Sequence, residues 1–209
     1  TADLDYFLKS LTLREPTTKK AAVGISLGGN VLLKWLGETG SQSLLDATVA
    51  VSVPFKLQDV VSKINTGFAR IYQAHLLQRL RTVFLQKLDT VNHQMELSRQ
   101  TLFSLKTLYD FDQQITAPLH AFSTVEEYYQ TSSCRPYLCE VATPTLIIHA
   151  LDDPFMTPAT IPNKHELSAD IILELSQHGG HVGFISEKKA NCSSCWLEQR
   201  ITTFFKSML

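Results

Sequence analysis

The chain has 209 residues, 44% of them hydrophobic and 19% charged, a balance that favours one folded domain with room for an inserted subdomain and excludes wholesale disorder. Its formal net charge of −1 and pI near 6.6 leave no electrostatic footprint for nucleic acid or for an anionic membrane surface. No apolar run approaches the roughly 20 residues that span a bilayer, and no signal segment opens the chain. We therefore expect a soluble, cytoplasmic protein without an integral membrane segment.

The first part of the chain predicts a helix, a strand and a second helix. Residues 4–11 have apolar side chains at helical spacing, and residues 21–24 form a short apolar run typical of a buried strand. A helical pattern begins at Leu27, and Gly37 and Gly40 are predicted to mark its end.

The middle of the chain begins with the most strand-like segment of the sequence. Residues 47–53 form a continuous run rich in β-branched side chains, which Pro54 stops. Residues 57–108 contain no proline and little glycine, and a short helix is predicted around residues 125–129. Several helices are predicted in the long block, with apolar residues at helical spacing: Leu76, Leu77, Leu80, Val83, Phe84 and Leu88.

The last part of the chain predicts two more strands and a closing helix. The strands are residues 145–150 and 171–175, and the helix runs from about Ser194 to Met208. Its predicted inner face consists of Trp196, Ile201, Phe204 and Phe205. Because strands alternate with helices, the fold class is α/β with a mostly parallel sheet.

A glycine-rich motif joins the first predicted strand to the helix that follows it. Residues 24–29 read Gly-Ile-Ser-Leu-Gly-Gly, which matches G-x-S-x-G. Such a turn exposes a serine hydroxyl at the top of a sheet, here that of Ser26, and glycines relieve crowding around it. The Leu27 N–H at the helix start is the predicted oxyanion donor. The alternative is a phosphate-binding loop, which requires a lysine that the motif lacks.

A serine nucleophile needs a histidine base held by a carboxylate, in the chain order serine, acid, histidine. Asp152 and Asp153 follow the predicted strand 145–150, at the sheet edge where ligands bind. His178 and His181 follow the next strand on a glycine-rich loop. Spacing alone leaves open which aspartate and which histidine take part.

Other chemistry-bearing residues are given structural interpretations. His149 lies within a predicted strand and is interpreted as a hydrogen-bonded core histidine. Cys192 and Cys195 have C-x-x-C spacing, but the remaining pair, Cys134 and Cys139, is spaced C-x4-C and does not complete a zinc site. We expect reduced thiols and no metal.

The combination of motifs resembles a known family, the YheT-like bacterial α/β-hydrolases, which are related to the eukaryotic abhydrolase-domain esterases. The matching stretches are residues 22–30 (AVGISLGGN), 52–55 (SVPF), 111–116 (FDQQIT), 146–156 (LIIHALDDPFM) and 178–185 (HGGHVGFI). The resemblance extends from about residue 1 to the C-terminal helix.

The resemblance implies a charge-relay triad of Ser26, Asp153 and His181. It implies hydrolysis of carboxylic esters, typically short-chain esters or acylglycerols, through an acyl-enzyme and without metal or organic cofactor. The implied partner is a small-molecule ester or lipid-like substrate. The rival interpretations are a thioesterase, amidase or acyltransferase on the same triad, and a catalytically silent scaffold that acts as a binding module.

The implied organisation is an α/β-hydrolase core interrupted by a helical cap. Residues 1–56 form the part of the core that carries the serine turn, 57–122 the cap insertion and 123–209 the C-terminal part of the core. Such enzymes place several strands before the serine strand, and one connecting loop supplies a second oxyanion donor, whereas only 20 residues precede Ala21 here. We therefore expect a fragment or truncated product that is poorly folded or weakly active alone.

Overall fold

The computed structural model describes residues 1–91, 97–184 and 196–209, without the side chains of residues 88–91. The chain forms two compact units. Unit 1 comprises Thr1–Lys56 together with Ser133–Leu209, and unit 2 is Leu57–Ser132. Unit 2 thus begins at the first residue of the expected insertion and continues ten residues beyond 122, the end expected from the sequence. Its role as a cap remains a proposal.

Unit 1 is built on a four-stranded parallel sheet, which confirms the predicted α/β class. The strands lie in the order β1-β2-β3-β4: β1 Ala21–Ile25, β2 Ala47–Val51, β3 Thr145–Ala150 and β4 Ile171–Ser176. The main helices of this unit, numbered in chain order with those of unit 2, are α1 Ala2–Arg14, α2 Leu27–Thr39 and α9 Trp196–Met208. Short 3₁₀ turns occupy Gly40–Gln42, Arg135–Glu140, Pro158–Thr160 and Lys164–Glu166.

Both faces of the sheet are covered, which explains why β2 and β3 are apolar almost without interruption. Every residue of these two strands is buried, as expected for central strands of a parallel sheet. Successive side chains alternate between the faces. The core on one face joins the strands to α2 through Leu32, Leu33, Leu36, Ala50 and Ile147. The core on the other face joins them to α9 through Val49, Val51, Leu146, Ile148, Leu197 and Phe204.

Two element boundaries differ from the sequence prediction for identifiable reasons. β2 ends at Val51 rather than at residue 53, because Ser52 turns the backbone to φ 50°. Gly40 does end α2, but Gly37 lies inside the helix. A Cβ at Gly37 would lie 2.3 Å from the Tyr137 carbonyl oxygen, so this glycine permits close helix packing and does not stop the helix.

Unit 2 is helical, as predicted, in the part of it that the structure describes. Its helices are α3 Leu57–Ile64, α4 Ala69–Val91, α5 Arg99–Ser104, α6 Leu108–Phe111, α7 Ala117–Leu119 and α8 Val125–Ser132, with a π-helical turn at Asp112–Thr116. Of the apolar residues at helical spacing on which that prediction rests, Leu77 and Phe84 are buried in its core, whereas Leu76, Leu80 and Val83 are exposed. The side chain of Leu88 lies outside the described part.

Several sequence-based interpretations fall wholly or partly outside the described residues. These are the proposed thiols Cys192 and Cys195, the first two residues of the predicted C-terminal helix, and Ile185 at the end of the last matching stretch. The described part of that helix, α9, buries Phe204 and packs Trp196, Ile201 and Phe205 against the same core, as predicted. Among the described residues, we find no helix with the length and apolar character needed to cross a membrane.

Candidate active site

Ser26 occupies the single residue between β1 and α2. Its φ of 52° is uncommon for a residue with a Cβ and stores strain that the surrounding structure must hold. The Ser26 N–H donates to the Val51 carbonyl oxygen at 2.8 Å, and its own carbonyl accepts from the Asn30 N–H at 3.1 Å. The side chain makes no capping bond to α2. The hydroxyl is therefore left available for another partner.

The glycines around Ser26 differ in what they contribute. A Cβ at Gly24 would lie 2.7 Å from backbone atoms of Gly28 and Gly29, and a Cβ at Gly29 would lie 2.8 Å from a methyl group of Val53. A Cβ at Gly28 would meet nothing within 4 Å. Close packing of the turn therefore requires Gly24 and Gly29. The second glycine of the G-x-S-x-G motif is not needed for that packing.

Leu27 is the first residue of α2. The first N–H groups of a helix have no partner within it and carry the positive end of its dipole. The Leu27 N–H therefore has the character expected of an anion-binding donor beside Ser26. Its role as an oxyanion donor remains a prediction.

His181 lies between Ser26 and Asp153. Its Nε2 is 2.9 Å from Ser26 Oγ, and its Nδ1 is 2.8 Å from Asp153 Oδ2. With the ring proton on Nδ1, His181 donates to the carboxylate, and the serine hydroxyl donates to Nε2. Of the two aspartates and two histidines left open by spacing, these are the ones that the structure brings to Ser26.

Asp153 and His181 are held by further contacts. Asp153 is 5% exposed, and its Oδ1 accepts the Phe155 N–H at 2.9 Å, so each carboxylate oxygen has a partner. The Phe155 ring meets the His181 ring edge-on, with centroids 4.7 Å apart. These contacts hold the imidazole of His181 in one orientation.

The remaining candidates, Asp152 and His178, lie in a different arrangement. Asp152 Oδ1 accepts the N–H groups of Gly179 and Gly180 at 2.9 and 2.8 Å. The Gly180 N–H is the main cause of a lowered pKa of the Asp152 carboxyl. His178 is 92% exposed, with Nδ1 at 3.4 Å from Asp152 Oδ2. Their contacts run to the loop backbone and to each other, and sequence reasoning did not foresee this second use of the aspartate pair.

His149 is buried in β3, as predicted, but the expectation that it is hydrogen-bonded is wrong for one of its two ring nitrogens. Its Nδ1 finds no hydrogen-bond partner within the described part of the chain. Burial lowers the pKa of His149, which keeps the ring neutral near pH 7. Its ring lies 6.0 Å from that of Phe55.

Within residues 1–91, 97–184 and 196–209, no group of three or more His, Cys, Asp or Glu side chains is arranged to hold an ion. The acidic and histidine residues near Ser26 are accounted for by the contacts described above.

Comparison with known proteins shows the family of this chain. A family model described as the alpha/beta hydrolase fold matches residues 1–188. The chain belongs to the alpha/beta hydrolase fold family. Over 209 residues it is 38% identical to YheT of Escherichia coli (strain K12), covering 100% of this chain and 61% of that protein. It is 26% identical over 211 residues to the monoacylglycerol lipase of Saccharomyces cerevisiae, covering 99% of this chain and 46% of the lipase.

Solved structures show the same fold at low sequence identity. The esterase Pf2001 of Pyrococcus furiosus superposes with a TM-score of 0.55 at 15% identity, over 99% of this chain and 61% of that one. This α/β-hydrolase chain therefore spans about half to three fifths of the length of the relatives named here.

Proposed function

We propose that the protein cleaves carboxylic esters through an acyl-enzyme formed on Ser26. The observation that carries this proposal is the pair of hydrogen bonds that links Ser26 Oγ through His181 to the buried carboxylate of Asp153. A relative is named as a monoacylglycerol lipase, and that name agrees with ester chemistry. The fold itself hosts many reactions, so the argument depends on the geometry of the site.

The first half of the reaction acylates Ser26. Its Oγ attacks the ester carbonyl carbon while His181 Nε2 takes the hydroxyl proton, and Asp153 stabilises the resulting imidazolium through Nδ1. The tetrahedral intermediate then collapses, the carbon–alkoxide bond breaks, and Nε2 returns the proton to the departing alcohol. In the second half, water replaces the alcohol and releases the acid by the same proton transfers in reverse.

The negative charge of the tetrahedral intermediate needs preorganised donors. We propose the Leu27 N–H as one of them, because it opens α2 directly after the nucleophile. Loss of a single donor of this kind lowers kcat by about 10²–10³-fold in a comparable enzyme. A backbone donor also tolerates side-chain change, so the identity of the residue at position 27 matters less than the helix start.

The proposed substrates are short-chain esters or acylglycerols, and the proposed partner is a small ester or lipid-like molecule. We propose that unit 2 selects among acyl or alcohol groups. In this scheme the three side chains, the ester and one water molecule account for every proton and electron pair.

Covalent labelling tests the proposal directly. A fluorophosphonate reacts only with an activated serine, so we expect one adduct by intact mass in the natural sequence and none in Ser26→Ala. Ser52→Ala is the matched control, since Ser52 shares a positive φ and follows the neighbouring strand; it should retain the adduct. A folded protein that forms no adduct on Ser26 would refute the proposal.

A comparison of acyl substrates distinguishes ester hydrolysis from thioester and amide hydrolysis on the same three residues. Turnover of p-nitrophenyl acetate, an acyl-CoA and an anilide should be compared at equal enzyme concentration. The proposal expects the ester to have the highest kcat/KM of the three. Faster acyl-CoA cleavage would instead assign a thioesterase on the same three residues.

A further inference from the structure

We propose that Asp152 is a positioning residue that fixes the backbone of the loop carrying His181. This inference rests on the proposed function, in which His181 is the general base. It assigns different tasks to the two neighbouring aspartates. Asp153 holds the imidazole ring, whereas Asp152 holds the main chain from which that ring projects.

The assignment rests on two hydrogen bonds that join the loop after β3 to the loop after β4. Asp152 follows β3, and the glycine pair Gly179 and Gly180 follows the adjacent strand β4. One carboxylate oxygen of Asp152 accepts both glycine N–H groups, at 2.9 and 2.8 Å. Hydrogen bonds to an ionised acceptor are roughly twice as strong as neutral ones. The contact therefore ties the two loops at a point one residue before His181.

The loop has a defined shape that such a contact can hold. Gly180 has φ +57°, and the carbonyl of Gly179 accepts the N–H groups of Gly183 and Phe184. A Cβ at Gly179 would lie 2.7 Å from the Phe184 ring. The residues on either side of His181 thus form a compact turn, and Asp152 anchors the side that leads into the histidine.

The exposure of the Asp152 side chain favours a role in positioning the loop over a direct role in the reaction. Its side chain is 44% exposed, compared with 1% for that of Asp153. Its other contact among the described residues is to His178, a highly exposed partner whose ion pair contributes little. The two backbone hydrogen bonds are therefore the contacts through which Asp152 can affect His181.

The test compares Asp152→Ala and Asp152→Asn with Asp170→Ala, a control at the opposite end of β4. Fluorophosphonate labelling rates and the kcat and KM for p-nitrophenyl acetate are measured for each protein. We expect Asp152→Ala to lower both the labelling rate and kcat by about 10–100-fold, because a base displaced by about 1 Å loses rate of that order. KM should change less than about twofold. Asp152→Asn keeps an oxygen that accepts the same N–H groups, so it should restore most of the rate.

The outcomes separate this inference from the proposed function. If the natural sequence labels on Ser26 and Asp152→Ala labels equally fast, the positioning role is wrong and the proposed function stands. If the folded natural sequence does not label at all, the proposed function fails and the inference fails with it. If Asp152→Ala does not fold, the Asp152→Asn variant decides. The inference is supported if amide exchange at Gly179 and Gly180 stays near the natural rate and most of kcat is retained. Fast exchange with full kcat overturns it.

Discussion

Two serines of this protein have nearly the same positive φ at equivalent places, directly after neighbouring strands. Ser26 and Ser52 have φ values of 52° and 50° and follow the neighbouring parallel strands β1 and β2. Ser26 Oγ meets a histidine at 2.9 Å, whereas Ser52 Oγ is buried without a hydrogen-bond partner in the part of the chain that the structure describes. A strained serine at a strand end is therefore not enough to indicate a nucleophile. The histidine supplied by a distant loop makes the difference.

Alanine substitutions at the two glycines after Leu27 should distinguish a glycine that the packing requires from one that only completes the G-x-S-x-G motif. Gly29→Ala places a Cβ 2.8 Å from Val53 and 3.0 Å from the Gly24 carbonyl oxygen, and such overpacking costs about 1–3 kcal/mol. Gly28→Ala meets open space within the same helix and should gain about 0.5–1 kcal/mol from helix propensity. For a domain of this size, 1 kcal/mol corresponds to about 2–4 °C in Tm. Thermal unfolding of the two variants should therefore move in opposite directions.

The two glycine variants are matched controls for each other, since both add one methyl group to the first turn of α2. A loss of Tm in Gly28→Ala as large as that in Gly29→Ala would contradict the packing argument. It would show that the turn tolerates no side chain at either position.

At the scale of elements, Arg135 connects three short segments of unit 1, one that precedes β3 and two that follow it. Its guanidinium donates to both carboxylate oxygens of Glu166 at 2.7 Å and to the carbonyl oxygens of Ala159 and Thr160. The 3₁₀ turns at Arg135–Glu140, Pro158–Thr160 and Lys164–Glu166 are thereby joined through one side chain. The segment that leaves Asp153 is part of this arrangement, so its path is fixed at its far end.

The Arg135–Glu166 pair predicts a pH-dependent stability. Hydrogen bonding to Arg135 lowers the pKa of Glu166 to about 2 from an ordinary value of 4.5. A carboxyl with a depressed pKa stabilises the fold above its unfolded value, and that contribution is lost as pH falls from 4.5 towards 2. Glu166→Gln should therefore lower Tm at pH 7 by about 2–4 °C, for a partly exposed pair that contributes about 1 kcal/mol.

Thermal unfolding at pH 7, 4.5 and 3 checks this prediction against Asp170→Asn, which removes a carboxylate elsewhere in unit 1. The deficit of Glu166→Gln relative to the natural sequence should shrink as pH falls. A deficit that is constant over this range would mean that the charge of Glu166 is irrelevant and that only its shape matters.

At the scale of the whole molecule, the sequence predicts the strands and the serine turn well and the loop geometry poorly. The four strands and α2 follow from apolar runs and helical spacing, which depend on local burial. Asp152 and Asp153 are adjacent in a loop, and periodicity does not distinguish them. Which one meets His181 depends on how the backbone turns after β3 and at Gly180, a positive-φ residue. The family resemblance singled out Asp153 and His181, and the task of Asp152 became visible only from the hydrogen bonds.

The side chains of unit 2 show a similar limit. Leu76 and Leu77 are adjacent and equally apolar, yet Leu77 is 2% exposed and Leu76 is 43% exposed. Helical spacing allows several overlapping faces when apolar residues are this frequent. Only the packed partners of the helix decide which of these faces is buried.

The chain leaves and re-enters unit 1 at nearly the same point. The Arg135 N–H donates to the Phe55 carbonyl oxygen at 3.3 Å, and unit 2 occupies the sequence between them. Both cores of the sheet consist of residues from unit 1. Many domains tolerate an insertion at a point where the two flanking chain ends lie close together. We therefore expect unit 1 to tolerate the deletion of unit 2.

We expect a variant in which a short glycine-serine linker replaces Leu57–Ser132 to keep a cooperative thermal transition, because the sheet and the helices on its two faces remain. The fluorophosphonate adduct on Ser26 should also remain, since the contacts of Ser26, Asp153 and His181 described here lie within unit 1. If unit 2 selects substrates, the ratio of kcat/KM for long-chain and short-chain p-nitrophenyl esters should change by at least about tenfold. The same linker inserted after Lys56 without the deletion is the control and should leave that ratio unchanged. A folded, labelled deletion variant with the natural ratio would show that unit 2 has no part in substrate selection.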